Sequence, residues 1–137
     1  MNKKQVNDWM LPAKNTIEKL GISENGKVDS NFRSHISSFG AAVVMGSLKP
    51  TVAFFANDGS SKVPRSKLIV AMYYIITGKE IGEDIVEPKD VFDYVCKNDT
   101  RQTKERFINA SIALKLALNF FDMGKGDNDK NIKDGED

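Results

Sequence analysis

Apolar residues recur every three or four positions along most of the chain, which is the spacing of one face of an α-helix. The pattern is clearest in residues 32–58, where it runs twice, first through Phe32, Ile36, Phe39 and Val43 and then through Leu48, Val52 and Phe55. Gly46 lies between the two runs, and Pro50 follows it closely. Glycine often ends a helix in the left-handed conformation, and proline fits the first turn of a helix. The sequence therefore predicts helices over residues 31–45 and 48–56, with Asp29 or Ser30 capping the first.

The same spacing predicts four more helices, over residues 4–20, 64–77, 88–97 and 100–123. Pro12 falls inside the first of these, and we expect a kink or a restart there because proline has no backbone N–H to donate. Asp99 is predicted to cap the last helix, with Gln102 completing a capping box. Residues 23–29 are polar and contain Gly26, so a loop is predicted there.

No segment combines an alternating apolar pattern with flanking hairpin turns, so no strand is predicted. The fold class is therefore predicted to be all-α, with one compact domain over residues 1–123 built from a bundle of five or six helices. Residues 124–137 are rich in glycine and charged residues and have no apolar pattern. We expect this segment to be a disordered acidic tail.

The net charge of the 137-residue chain is only +1. Residues 124–137 contribute +3 from lysines and −5 from carboxylates, so the rest of the chain carries +3. A mildly basic body is compatible with RNA contact without requiring it. The first residues lack the apolar run of a signal peptide, and no stretch approaches the roughly 18 consecutive apolar residues of a membrane span. We therefore expect a cytoplasmic protein without a membrane partner.

Residues that commonly carry chemistry are sparse. His35 is the sole histidine and Cys96 the sole cysteine, so neither a zinc site nor a disulfide within the chain is expected. Cys96 lies in an apolar helical pattern and is predicted to be a buried structural thiol. Glu80, Glu83 and Asp84 are predicted to be solvated loop charges. We expect no enzyme activity, cofactor, metal or small-molecule substrate; an enzyme would need a pocket with convergent polar groups.

Basic side chains cluster near predicted helix starts. Cations are unfavourable at a helix N-terminus, where the helix dipole is positive, and contact with phosphate is one reason for placing them there. An ordinary solvated face is the alternative, because Asp99 and Glu105 lie among the same residues. The candidate nucleic-acid-binding residues, which are predicted to share one exposed stripe, are Lys49, Arg65, Lys67, Lys104 and Lys115.

Three pairs of adjacent aromatic residues lie in or next to predicted helices. They are Phe54-Phe55, Tyr73-Tyr74 and Phe120-Phe121. Exposed aromatic rings are suited to stacking on nucleic-acid bases. The alternative is that one member of each pair belongs to the core while the other marks an interface.

Residues 32–58 also contain three short motifs in a fixed order. The motifs are Phe32-Arg33-Ser34, Gly46-Ser47-Leu48 and Thr51-Val52-Ala53-Phe54-Phe55. In this order they resemble the small subunit of the Cmr complex, the type III-B CRISPR effector that targets RNA. The helix layout is similar over residues 4–123. The chain differs from the family in having Phe39-Gly40 where a Leu-Pro pair is common, and in having Ser47 inside the glycine-leucine joint.

The resemblance implies a non-catalytic helical subunit. Such subunits stack beside larger backbone subunits and help bind guide RNA and target RNA in antiviral defence, while other subunits cleave the target. The implied partners are other Cmr subunits and the RNA backbone. The alternative hypothesis is a helical protein–protein adaptor without nucleic-acid binding, which would present an exposed apolar patch instead of a basic stripe.

Overall fold

The computed structural model describes residues 1–82 and 86–124, and six α-helices account for most of them. The helices are α1 (Lys3–Lys19), α2 (Ser30–Met45), α3 (Leu48–Phe55), α4 (Ser66–Thr77), α5 (Pro88–Lys97) and α6 (Arg101–Ala117), followed by a 3-10 turn at Leu118–Phe120. Three short strands are also present, β1 (Ser23–Glu24), β2 (Lys27–Asp29) and β3 (Asp122–Gly124). The predicted all-α fold of five to six helices is confirmed.

Helices α4 and α6 form the centre of the molecule. Helix α6 packs along α1 and α2 and also contacts α4, which in turn contacts α1 and α5. Nine of the twelve residues of α4 are buried, so this helix is covered around most of its circumference rather than along one face. The helices surround one hydrophobic core whose largest fully buried side chains include Phe39 and Phe107.

The two helices of residues 32–58 follow the predicted bounds closely. Asp29 caps α2 by accepting a hydrogen bond from the backbone N–H of Asn31 at 2.8 Å. Gly46 ends α2, but the expected left-handed conformation is wrong, since its φ and ψ are −128° and −123°. A side chain at this position would bring its Cβ within 3.0 Å of the Ala42 carbonyl oxygen, so glycine fits here because the backbone approaches closely.

Two other predictions about helix ends differ from the structure. Helix α1 continues through Pro12 as one element, so the expected restart is wrong. Its buried face, which includes Ala13 and Ile17, packs against α6 and α4, and this packing stabilises the helix across the proline. Helix α6 is capped by Thr100 and not by Asp99, because the Thr100 hydroxyl accepts from the Thr103 N–H at 3.1 Å.

The small sheet was not predicted, and it corrects both the loop at residues 23–29 and the end of the last helix. Strands β1 and β2 form a hairpin around Asn25 and Gly26, whose φ angles of 54° and 77° suit a tight two-residue turn. Strand β3 pairs parallel to β2, placing Met123 opposite Val28. The last helix therefore ends at Ala117 and not near Met123.

The predicted disordered tail begins at Gly124, which is the last described residue and belongs to β3. The other tail positions, residues 125–137, lie outside the described residues.

Candidate nucleic-acid interface

Two of the five candidate basic residues meet at the α2–α3 joint. Lys49, the second residue of α3, pairs with Asp99 just before α6, with 3.2 Å between Nζ and Oδ2. Lys104, in the first turns of α6, donates a hydrogen bond from Nζ to the Gly46 carbonyl oxygen at 3.3 Å. The fold therefore brings the beginning of α6 against the joint, and the ammonium groups of both lysines lie beside it.

Exposed apolar side chains adjoin these lysines. Val44 and Met45, at the end of α2, are 62% and 89% exposed. Val44 and Lys104 line one open groove of about 540 Å³ between the end of α2 and the beginning of α6. We call the surface formed by Val44, Met45, Lys49, Asp99 and Lys104 the joint surface. This surface combines positive charges with exposed apolar area. It is therefore suited to contact with both a protein and a polyanion such as RNA.

Arg65 lies elsewhere, at the other end of α3. Its guanidinium carbon is 4.2 Å from the centre of the Phe54 ring, a distance typical of a cation–π contact. Two of its nitrogens, Nε and Nη2, donate to the Asn57 carbonyl oxygen at 3.1 and 2.8 Å. These contacts hold the guanidinium group against the ring of an exposed phenylalanine.

His35 lies close to this pair. Its Nε2 is 3.0 Å from the Ser61 hydroxyl oxygen, and its ring meets Phe55 edge to face at 6.2 Å between centres. Burial lowers the pKa of His35 below its usual value of 6.5, and the positive charge of Arg65 lowers it further, with partial compensation from Asp58. His35 is therefore mainly neutral near pH 7.

The remaining two candidates have different surroundings. Lys67 is half-buried and lines a wide depression with Gly21, Lys27 and the small sheet. Lys115 is exposed in the last turn of α6. The contacts thus group Lys49 with Lys104 and give Arg65, Lys67 and Lys115 separate surroundings. That all five share one stripe stays a prediction.

The three helix starts that adjoin the basic candidates share a charge pattern. Helices α3, α4 and α6 have no acidic residue in the first turn. Carboxylates placed just before the helices compensate in part, since the Asp58 side chain accepts from the Ser66 N–H at 2.8 Å and Asp99 pairs with Lys49. The basic helix starts predicted from the sequence are therefore present, and each is accompanied by a nearby carboxylate or carbonyl partner.

Two predictions about burial are wrong. Cys96 is exposed, because the buried face of α5 consists of Val91 and Val95 and Cys96 lies beside it. Tyr73 and Tyr74 are both buried, since α4 is covered around most of its circumference and Tyr73 packs edge to face on Tyr94 of α5.

Each of the other two aromatic pairs has one exposed member and one less exposed member, and that the exposed members mark an interface stays a prediction. Phe55 is 3% exposed while Phe54 is 61% exposed, and Phe120 is 60% exposed beside half-buried Phe121. The exposed pair Val44–Met45 was not singled out from the sequence. Its signal was available, since both residues continue the apolar composition of α2 beyond the last core position, Val43.

Metal-binding clusters are not evident in the part of the chain that the structure describes. Its histidine, cysteine and carboxylate side chains form no group of three or more that could hold a metal ion. Glu80 is exposed, as expected, whereas Glu83 and Asp84 lie outside the described residues. Among the helices that the structure describes, none combines the length and apolar character needed to cross a bilayer.

No protein-family model matches the chain, and no curated protein or solved structure matches it either.

Proposed function

We propose that this protein is a non-catalytic small subunit of a type III-B CRISPR ribonucleoprotein, which assembles along larger subunits and helps bind guide and target RNA in antiviral defence. The motifs of residues 32–58 and the all-α fold support this proposal. The observation that carries it is the joint surface, where Lys104 meets Gly46 across 58 positions of sequence. The stretch that resembles the Cmr small subunit thereby coincides with a surface suited to RNA and protein contact.

Phosphate contact at the joint surface would be easy to establish. Lys49 is 43% exposed in its side chain and its partner Asp99 is 56% exposed, so their ion pair contributes only about 0–1 kcal/mol. Exchanging this pair for a phosphate contact therefore costs little. Contacts of this kind position RNA without reading its sequence, as a subunit that accepts many guides requires.

The apolar part of the joint surface serves assembly in this proposal. Met45 and Val44 expose side chains that are stabilised when a partner subunit covers them. Cleavage of the target is assigned to other subunits, as in the family that the chain resembles, so the proposal requires no reaction here.

The test is the salt dependence of binding to single-stranded RNA, measured with the full-length chain at low ionic strength. Each lysine–phosphate contact contributes about 0.7 to the slope of log affinity against log salt concentration for a single strand. Lys49→Ala and Lys104→Ala should each lower the slope by about that amount. Lys14→Ala is the matched control, because Lys14 is 38% exposed in its side chain and also pairs with a carboxylate, that of Glu18. Equal slopes for all three variants and the wild type would argue against the RNA role of the joint surface.

A helical protein–protein adaptor is the second candidate, and the exposure of Val44 and Met45 favours it. An adaptor would use the same apolar surface without RNA. Its expected outcome in the salt series is a flat, weak response that no lysine variant changes.

A further inference from the structure

We propose that Phe54 and Arg65 form a stacking site for one base of single-stranded RNA, at the opposite end of α3 from Lys49. This inference rests on the proposed function and assigns it a second, separate contact. It starts from the contrast between two neighbouring phenylalanines, of which Phe55 is buried while Phe54 is 61% exposed. A single exposed apolar residue is common on protein surfaces, so further observations are needed.

The first of these further observations is the position of Arg65. Its guanidinium group covers one side of the Phe54 ring at 4.2 Å, yet most of the phenylalanine remains accessible to solvent. The solvent-exposed part of the ring is therefore available, while the Phe55 ring packs against Phe54 at 5.8 Å between centres. Bases of single-stranded RNA commonly stack on aromatic rings and on arginine planes, so the Phe54–Arg65 pair offers two suitable flat surfaces.

The second observation concerns the partners of the Arg65 guanidinium group. The group is oriented by two hydrogen bonds to the neutral carbonyl oxygen of Asn57, and no carboxylate in the described part of the chain forms an ion pair with it. A positive charge that is held in place without a directly paired carboxylate can contact an anionic ligand, while Asp58 is the nearby carboxylate that partly compensates the charge at this helix start. The third guanidinium nitrogen, Nη1, remains for a phosphate oxygen.

The third observation is the groove beside Phe54 and Arg65. An open groove of about 460 Å³ runs between α2 and α3, a volume within the usual range of ligand sites, about 300–1,000 Å³. Of the described residues that line it, Arg65 carries the charge, while Ala42, Pro50 and Phe55 supply apolar surface. His35 also lines the groove, and its neutral ring adds a polar edge that suits a base.

These features select a nucleotide over an apolar peptide side chain. A base stacked on Phe54 uses the exposed ring, and the adjoining phosphate uses the charge of Arg65. An apolar side chain would use the ring alone and leave the arginine without an anionic partner. Lys49 and Phe54 lie near the two ends of the eight-residue helix α3, so the stacking site and the joint surface can be tested separately.

The test compares the affinity of the full-length chain for a short single-stranded oligoadenylate and for an abasic oligoribonucleotide of the same length. The wild type should prefer the oligoadenylate. Phe54→Ala should weaken oligoadenylate binding about fivefold or more and leave abasic binding unchanged, because stacking of one base contributes about 1 kcal/mol or more. Phe54→Tyr keeps the ring and should retain the preference. Phe120→Ala is the matched control, since Phe120 is 60% exposed and lies outside the groove that Arg65 lines. Circular dichroism checks that each variant is folded.

The outcomes separate this inference from the proposed function. Equal affinity for both oligonucleotides in the wild type, with the lysine-dependent salt slope intact, overturns the stacking site alone. Failure of both oligonucleotides to bind overturns RNA contact altogether. If Phe54→Ala leaves both affinities unchanged but removes a protein partner from the purified complex, Phe54 is a protein contact and the inference is wrong.

Discussion

Single residues in this fold differ sharply in what they tolerate, and two glycines illustrate this. Gly40 lies within α2, where a Cβ would be 3.6 Å from the Ser111 hydroxyl oxygen, an ordinary contact distance. Gly78 ends α4 with φ of +69°, a left-handed conformation that side chains disfavour. A Cβ at Gly78 would have no described atom within 4 Å, so backbone conformation and not space decides what this position accepts.

Alanine at these two positions should have opposite effects on stability. Gly40→Ala should raise the free energy of unfolding by about 0.5–1 kcal/mol, because alanine loses less backbone entropy in a helix. Gly78→Ala should lower it by about 1–2 kcal/mol because of the left-handed backbone. Urea unfolding of the two variants and the wild type measures both effects. A loss of stability for Gly40→Ala would mean that α2 and α6 pack too tightly to accept one more methyl group.

His35 should make the stability of the protein depend on pH. Its pKa in the folded state lies below the reference value of 6.5, chiefly because of burial. The unfolded chain therefore binds more protons as the pH falls, so the stabilisation associated with this group is complete above pH 6.5 and is lost as the pH falls through the lower folded pKa.

Because the chain has one histidine, an NMR titration of the imidazole protons reports this group alone. We expect a midpoint below 6.5 in the folded protein. Urea unfolding should show less stability on the acidic side of that window, and His35→Gln should remove this part of the pH dependence. A midpoint above 6.5 would contradict the described surroundings of His35.

Helices and strands, the next scale, are stabilised by local caps that a single substitution tests. The Thr100 hydroxyl accepts a hydrogen bond from the Thr103 N–H at the start of α6, whereas Asp99 forms an exposed ion pair with Lys49. Thr100→Ala should lower the free energy of unfolding by about 1 kcal/mol, the usual effect of removing such a cap. Asp99→Ala should change it by about 0.5 kcal/mol or less. If the two effects were reversed in thermal or urea unfolding, Asp99 would be the cap after all.

The elements that could be predicted from the sequence are those with local signals. The bounds of α5 are set by Pro88 and by an apolar pair four residues apart, Val91 and Val95, so its predicted and observed ranges agree. The sheet lacked such a signal, because strands of two and three residues are too short to show alternation. Pairing between Val28 and Met123 also joins distant parts of the chain, so no local pattern could reveal that α6 would end early.

The two lysines of the joint surface could be named as candidates from the sequence, but their grouping could not. Lys49 and Lys104 were named from their positions near helix starts, yet only the packing of α6 against the joint brings them together. The contact between Arg65 and Phe54 depends on a loop that turns back on α3. The order of apolar and polar positions does not show how closely such a loop approaches the helix. Exposure of Cys96 was missed because neighbouring apolar residues on a helix can face different sides.

For the whole molecule, the low net charge limits what the isolated chain can do. With +1 overall, long-range attraction to RNA is weak, so binding must come from local surfaces such as the joint surface. In an assembly, weak contacts from neighbouring subunits act on one RNA strand and their effects multiply. The proposal thus predicts modest affinity for the single chain and firm retention of RNA by the complex.

Co-purification is the most direct test of this account. The full-length chain, carrying an affinity tag, is recovered from its native host at moderate salt, and the accompanying proteins and RNA are identified. The account predicts that guide RNA and larger subunits of one complex are recovered together, and that Lys49→Ala combined with Lys104→Ala reduces the RNA retained. Recovery of the chain alone, or with protein partners but no RNA, would contradict it.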